Sequence, residues 1–490
     1  MTTHAPAEAF ASALGALLFS ASAQHTTPPS LVVAYSGGRD STVLLHLAFA
    51  FAQKHQLGLR AIHVNHQLQA AAEAFVLHCQ RECAALAIPL EVVTLSVTRT
   101  DKGLEADARE ARYAAFADRL REREILLLGQ HADDQLETLL LQLLRGAGPH
   151  GLAGMPAAGA FAAGQLCRPL LAVRRDALAA LASQRGWRWI DDPSNDDHAL
   201  ARNRLRSELM PVLLRQRDGA AEVLLRAVHW QAETVGLLAE LAALDRAAAQ
   251  TAGGLLQRSR LLQLSAPRQA NLLRHWLQQR GCTLPNADKL QEFLRQLASG
   301  SDRIMMQWAT HVLRVYGDCL LLTPVWPAAI EAIVAWPDSP TSMPMQAPML
   351  TLPHALGVLH WQAAPRAVTE ALPALSVRAP CADEQVSVRW HTPGLRVALA
   401  GRQGRRELKD LFQAARIPAW LRPLWPKLFY NDTLIALPGL LVTAAGQPTA
   451  SAASRLLHAE GPLFSFAAQL RGNLGADLGG NLGDNSRTAV

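Results

Sequence analysis

The stretch "VVAYSGGRDSTVLLHL", residues 32–47, has the order of residue types that an anion-binding turn requires. Its apolar run predicts a buried strand, Ser36-Gly37-Gly38 a tight turn, and Asp40-Ser41-Thr42 the cap of a helix with Val43, Leu44 and Leu47 on its inner face. Backbone N–H groups of such a turn and the helix N-terminus behind it form a nest for an anion. Ser36, Ser41 and Thr42 add hydroxyl donors, and the combination suits pyrophosphate. The Lys of a Walker loop is missing, and Arg39 and Asp40 stand in the cradle. A carboxylate there repels phosphate unless a divalent cation bridges the two. Asp40 therefore predicts a Mg²⁺ ligand, with an ordinary Asp N-cap as the simpler alternative.

A second cluster is "GQHADDQLETLLLQLLRGAGPHGLAGM". On a helix beginning near Asp133, Asp134 and Glu137 share a face turned to a crevice, and Leu136, Leu139, Leu140, Leu143 and Leu144 form the opposite apolar stripe. Acids in a first turn also complement the helix dipole, which explains one carboxylate better than three beside His131 at a strand end. Asp133 reads as the cap. In "GLEADAREARY", Arg109 and Arg112 lie three apart with Glu105 a turn earlier, a phosphate clamp or a set of surface ion pairs. His63 and His66 bracket Asn65 at another strand end, where a pocket-shaping role competes with any metal role.

The elements that must position these groups alternate between strand and helix from residue 31 to about 190: "LVVAYS", "LRAIHVNH", "LEVVTLSV" and "EILLLGQH" are continuous apolar strands with helices between them. That pattern predicts an α/β domain with a parallel, Rossmann-like sheet covered on both faces. Ligands in such sheets sit beyond the carboxyl ends of the strands, where all three clusters fall. Residues 1–215 are expected to form this catalytic domain, 216–323 a mostly helical domain ending in a hairpin at "VLRVYGDCLLLTP", and 324–385 a Pro-rich connector with short strands. Residues 386–465 are expected to form a small β-containing module and 466–490, with its repeated Gly-Asn-Leu-Gly, a disordered tail.

Composition narrows the class. The chain has 490 residues, half of them apolar, enough for several domains, and a formal charge of +6 that permits an anionic partner without requiring one. Its six cysteines include no CxxC pair, which argues against a disulfide framework or zinc ribbon and for reduced thiols in a cytoplasm. Cys79 and Cys83, four apart, read as the core face of a helix. The start "FASALGALLFSASAQ" imitates a signal peptide, but no Lys or Arg precedes Arg39, so an amphipathic helix is expected there. No apolar run is long enough for a membrane span.

Between residues 389 and 430, nine Lys or Arg stand against Glu407 and Asp410, with Trp390, Trp420 and Trp425 interleaved. Such a face can grip a phosphate backbone and stack bases; a solvated basic surface over a Trp-containing core has the same pattern.

Taken together, these motifs resemble the PP-loop (N-type) ATP pyrophosphatases, whose signature has the form SGGxDS. Within that group the chain is similar to the tRNA(Ile)-lysidine synthetases. The resemblance rests on "SGGRDSTVLLH", "HVNHQL", "LEADAREARY", "HADDQLETLLLQLLRGAGPHGLAGM", "RWIDDPSN" with "RNRLR", and "GRQGRRELKDLFQAARIPAWLRPLWPKLFYNDTLIAL". Gln130 departs from it, standing where many members have the first of two His. The resemblance implies use of ATP and Mg²⁺ to join free L-lysine to the wobble cytidine of the CAU anticodon of tRNA(Ile); the sequence leaves monomer and homodimer both open. It implies that Ser36, Gly37, Gly38, Arg39, Asp40 and Ser41, with Arg109 and Arg112, meet ATP, and that Asp134 and Glu137 bind and activate lysine near His131. Arg202, Asn203 and Arg206 are expected at the crevice mouth. Arg402, Arg405 and Arg406 are expected on the tRNA. A thiolase of the same superfamily is the nearest rival, but no Cys lies near Ser36 or His131 in the sequence. A catalytically idle tRNA-binding relative need not keep the carboxylates at 40, 134 and 137.

Overall fold

The computed structural model describes residues 5–22, 28–65, 72–95, 104–191, 201–301, 304–336, 349–362, 374–381, 383–400, 403–448 and 454–473. They divide into two compact units, residues 1–238 and 239–490.

In the first unit, strand β1 (Ser30–Ala34) pairs in parallel with β2 (Leu59–Asn65) on one side and β4 (Glu124–Leu127) on the other. With β3 (Leu90–Thr94), β5 (Ala158–Phe161) and β6 (Gly164–Cys167) the sheet order is β3-β2-β1-β4-β6-β5. All neighbours are parallel except β5, an antiparallel edge strand that the sequence pattern does not announce. Successive side chains of a strand point to opposite faces, and β1 shows it. Leu31 and Val33 enter one core with α1 (Pro6–Ser22), α2 (Arg39–His55), α3 (Ala72–Ala85) and α7 (Arg175–Arg185). Val32 enters the other with α4 (Leu104–Arg119). The signal-like start is α1, whose Phe10 and Leu14 are fully buried on the sheet. Among the described residues no helix is long and apolar enough to cross a membrane.

The strand order reverses between β1 and β4, so the chain leaves these neighbours in a way that opens a crevice above their carboxyl ends. Helix α5 (Ala132–Leu144) starts there, one residue earlier than expected, with His131 as its N-cap. Its Leu136 and Leu140 pack with Leu205, Met210 and Ala221, from a π-helical turn (Leu205–Leu209) between α8 (Ala201–Arg204) and α9 (Met210–Arg215), and from α10 (Ala220–Ala249). The expected stripe is shorter than its sequence: Leu143 and Leu144 lie beyond this cluster and are exposed. The short α6 (Pro149–Leu152) follows α5.

In the second unit, β7 (Leu256–Gln257), β8 (Met305–Trp308), β9 (His311–Tyr316) and β10 (Cys319–Pro324) form one antiparallel sheet, with the predicted hairpin as β9 and β10. Helices α11 (Arg258–Leu262), α12 (Ala266–Gln278) and α13 (Ala287–Ala298) pack on it through Leu261, Trp276 and Phe293. The remaining strands build mainly a five-stranded and a four-stranded sheet around one core.

The Pro-rich segment expected as a connector contributes four strands to that core: β11 (Ile333–Ala335), β12 (Met349–Thr351), β13 (Val358–Gln362) and β14 (Leu375–Arg378). β11 pairs with β15 (Val386–Arg389), while β13 and β14 flank β21 (Ser454–Glu460). The prolines lie outside these strands, so the ladders keep their donors, and Trp336 and Trp361 supply large buried surfaces. β16 (Arg396–Ala398) and β17 (Arg405–Glu407) form a separate hairpin before α14 (Leu408–Ala414). Then β18 (Lys427–Tyr430), β19 (Thr433–Leu437) and β20 (Leu441–Val442) complete the sheet begun by β11 and β15. The expected tail begins inside a helix, α15 (Pro462–Asn473), whose Phe466, Ala467 and Leu470 are in the core; residues 474–490 lie outside the described residues.

One charge is sealed in this core. Lys427 is buried, its Nζ donating to the carbonyls of Trp390 and Trp425, and burial pushes its pKa down to about 8. Between that value and the ordinary one near 10.5 the unfolded chain holds the proton that the folded chain has lost, so stability rises with pH across this window. The expected gain approaches about 3 kcal/mol at the upper end. Urea unfolding of wild type and Lys427→Met at pH 7.5 and 9.5 checks it: the variant's midpoint should climb distinctly less than the wild type's, and parallel shifts would refute the assignment.

Candidate active site

The loop after β1 is built before any ligand arrives. Gly37 has φ +85°, and a Cβ placed on it would lie 3.0 Å from the Cys79 Sγ. The Gly38 carbonyl accepts bonds from the Ser41 Oγ at 2.9 Å and the Thr42 Oγ1 at 3.0 Å, and Ser36 Oγ lies 2.9 Å from Ser41 Oγ. These bonds hold the turn open above the N-terminus of α2. From the neighbouring strand, Gly129 approaches so closely that a Cβ on it would touch the Asp40 carbonyl at 3.4 Å.

Asp40 is gripped on both oxygens, by Arg39 Nε at 3.2 Å and by His131 Nε2 at 3.4 Å. His131 is buried, and its backbone N–H donates to Asp134 at 2.9 Å, which makes Asp134 the closing member of the α5 cap. Burial works against the imidazolium, but the Asp40 hydrogen bond and the charges of Asp134, Asp40 and Asp133 outweigh it and raise the His131 pKa. Burial likewise works against the Asp40 carboxylate, and His131 and Arg39 overcome it, so its pKa is lowered.

A cavity of about 580 Å³ lies over this floor, in the size range of small-molecule sites. Ser36, Gly38, Arg39, Asp40 and Ser41 line it, facing Arg109, Arg112, His131, Asp134, Arg202 and Arg206. The fold thus gathers these residues from four widely separated stretches of chain, and it revises several expectations. Gly37 shapes the turn without lining the cavity, its carbonyl taken by the Ile190 N–H. Thr42 is fully buried, its hydroxyl spent on the loop. Asp133 caps a different helix from its own: it accepts from the Arg175 N–H at 2.8 Å at the start of α7 and pairs with Arg174 at 2.9 Å. Asn203 does not line the cavity; Arg202 and Arg206, one helical turn apart, do.

Glu137 departs most from expectation. Its face of α5 is the predicted one, yet its side chain is 1% exposed because Arg202 Nε at 2.5 Å and Arg206 Nε at 2.7 Å cover its two oxygens. Arg202 also reaches Asp134 at 3.0 Å. Asp134 is therefore the carboxylate that faces the cavity, and Glu137 is the anchor of two arginines.

Some lining groups carry little sequence signal. Tyr113 lies under Arg109, 5.0 Å from guanidinium to ring centroid, and its hydroxyl also meets Arg168, which donates to Gln130 at 3.2 Å. The spacing of Arg109 and Tyr113, four apart, is the signal that could have found this group. His63 is buried, 2.9 Å from the Tyr35 carbonyl, and burial lowers its pKa, in keeping with pocket shaping; His66 lies outside the described residues. A cysteine distant in sequence does approach the loop: Cys79 backs Gly37. Burial raises its thiol pKa far above the ordinary value, so it is a packing group and no thiolate.

The basic C-terminal face is reduced to its charges. Trp390 and Trp425 are buried, their indole N–H groups bonded to the Leu424 and Pro438 carbonyls, and Arg314 stacks on Trp420 at 4.4 Å. Arg396, Arg405, Arg406 and Lys409 are exposed on and beside the β16–β17 hairpin; Arg402 lies outside the described residues.

A parallel sheet with a Ser-Gly-Gly-x-Asp-Ser loop at its switch point, faced by an acid-capped helix, defines a PP-loop ATP pyrophosphatase domain. Residues 9–213 match the PP-loop domain model, and residues 256–321 and 386–458 match those of the TilS substrate binding domain and the TilS substrate C-terminal domain. The tRNA(Ile)-lysidine synthase of Shigella flexneri is 38% identical over 86% of this chain and 94% of its own length. That of Escherichia coli O157:H7 is 38% identical over 86% and 95%. The chain belongs to the tRNA(Ile)-lysidine synthase family. It is a ligase that forms a carbon–nitrogen bond, and its PP-loop domain uses ATP.

Gly37→Ala tests the loop. A left-handed φ costs an L-residue about 1–2 kcal/mol, and the new Cβ also meets Cys79. ATP binding should fall by about tenfold, the factor that 1.4 kcal/mol carries. Adding Cys79→Ala should restore only part of it. Calorimetric titration of both variants decides this, and wild-type affinity in Gly37→Ala would remove the loop's role.

Proposed function

We propose that this enzyme joins free L-lysine to C2 of the wobble cytidine in the CAU anticodon of tRNA(Ile), through an adenylated cytidine, converting codon reading from AUG to AUA. The observation that carries the reading is the convergence of the Ser36–Ser41 loop, the Arg109 and Arg112 pair, and Asp134 with Arg202 and Arg206 on one cavity. The names of the related synthases support the choice of tRNA and product. Residues 1–215 form the adenylating domain, and 216–323 with 386–465 hold the tRNA. Its substrates place the reaction in the cytoplasm.

The loop N–H groups, with Ser36 and Ser41, hold the β- and γ-phosphates, while Arg39, Arg109 and Arg112 bring positive charge to the rest of ATP. The cytosine O2 attacks the α-phosphorus, forming the O–P bond as the bond to pyrophosphate breaks. Lysine arrives as an ammonium with an ordinary pKa near 10.4 and must lose a proton before attack. Asp134, which faces the cavity, accepts the ammonium and helps remove that proton, with His131 holding it in place. The free amine then attacks C2, and the C–O bond to AMP breaks. Glu137 acts through Arg202 and Arg206, which it holds toward the anticodon.

The donor set fits Mg²⁺: Asp40 is a partly exposed carboxylate that lines the cavity together with Ser36 and Ser41, oxygen donors of the kind this hard cation takes. Asp40 would hold it, and when bound the ion supplies neutralisation of the phosphate charge.

Nucleoside mass spectrometry of unmodified tRNA(Ile) incubated with the enzyme, ATP, Mg²⁺ and lysine tests the reading. A cytidine heavier by one lysine less water is expected, and an unchanged cytidine from enzyme that binds the tRNA would overturn it. Asp40→Asn should abolish pyrophosphate release and leave tRNA affinity within about twofold, because the group serves ATP alone. Normal release by this variant would remove Asp40 from the mechanism. Arg405→Ala/Arg406→Ala should weaken tRNA binding and lower its salt slope by about one per lost phosphate contact. An unchanged slope across a salt series would show that this hairpin does not touch the tRNA.

A further inference from the structure

The second unit carries a cluster that the adenylation chemistry does not use. In the antiparallel pair of β13 and β21, His360 stands directly opposite His458, and Glu460 follows two residues on, so all three side chains share one face of the sheet. The imidazole rings lie parallel, 5.0 Å between centroids and 1° between planes. His360 Nε2 is 3.8 Å from a Glu460 carboxylate oxygen, and one donor atom from each residue lies within 4.8 Å of the others.

His458 Nε2 is buried and has no hydrogen-bond partner. A buried polar atom left without a partner calls for an explanation, and a second imidazole lying flat against the first supplies no proton to it. Glu460 is about half exposed and gives the cluster an open side. The strands cannot slip to relieve the arrangement. Gly357 and Gly461 have φ +142° and +113°, and a Cβ on Gly357 would collide with the Glu460 carbonyl oxygen.

We propose that His360, His458 and Glu460 form a binding site for a divalent zinc-type transition ion, which joins β13 to β21. Two imidazole nitrogens and one carboxylate, with a fourth position left to water, are a donor set that Zn²⁺ takes readily. With bonds of about 2.0–2.1 Å, ligand atoms of a tetrahedral site stand roughly 3.4 Å apart, so the cluster must contract by about 1 Å. The terminal torsions of His and Glu are broad, so turning the rings until their lone pairs converge is cheap. Burial, with His360 beside it, keeps the His458 pKa below its ordinary value although Glu460 acts the other way, and a neutral ring is the ligand form.

Full-length protein stripped by chelator is titrated with Zn²⁺ against a chromogenic zinc indicator, with millimolar Mg²⁺ present and ATP absent, so that hard-oxygen sites do not report. Wild type should compete for one equivalent of Zn²⁺. Glu460→Gln, a change at an exposed position, should bind about tenfold or more weakly, and His360→Ala/His458→Ala should lose the site. Co²⁺ in place of Zn²⁺ should give visible four-coordinate bands in wild type alone. If the double variant does not fold, Glu460→Gln decides, since it also lowers the rise in unfolding temperature that Zn²⁺ gives wild type. Equal Zn²⁺ affinity in wild type and Glu460→Gln, or no competition by wild type, overturns the proposal.

Discussion

Carboxylates crowded at one end of a sheet must each be neutralised, and the first unit is arranged around that requirement. Two like charges 4 Å apart repel by about 4 kcal/mol at an effective dielectric near 20, and Asp40, Asp133, Asp134 and Glu137 crowd one end of the sheet. His131 sits among three of them, Arg174 takes Asp133, and Arg202 bridges Asp134 and Glu137. The cations come from three different segments, so the segments are held together by the charges they cancel. This also separates two kinds of acid: Asp40 and Asp134, which line the cavity, and Asp133 and Glu137, committed to the α7 N-terminus with Arg174 and to Arg202 with Arg206.

Much of this was legible in the chain. The strand ends named the switch point because a parallel sheet buried on both faces reads as continuous apolar runs, and Ser36-Gly37-Gly38 fell at one of them. The face of α5 was correct as well. What covers a face was not legible: Arg202 and Arg206 reach Glu137 across more than sixty residues, and helical spacing says nothing about a partner from elsewhere. Cys79 behind Gly37 escaped for the same reason. Asp133 read as a cap correctly in kind but for the wrong helix, since a cap acceptor can serve any nearby N-terminus.

The second unit was harder because its strands are short and its tryptophans ambiguous. Interleaved Arg and Trp between 389 and 430 suit a stacking surface and a core equally, and packing decides: Trp390 and Trp425 are core, and the exposed arginines are left to act by charge. Proline content misled about residues 324–385 because composition averages over strands and the loops between them, while the ladder depends only on which positions lack an N–H.

The integration of that segment bears on modularity. The region matched by the C-terminal family model begins at residue 386, yet β21 within that region is flanked on both sides by strands from before it. Trp336 and Trp361, tilted against each other with 5.3 Å between ring centroids, belong to the same core as Trp425 and Phe464. A piece cut at the family boundary carries half an interior and three bare strand edges, two on β21 and one on β15, so exchange of this module between relatives has to begin upstream of β11.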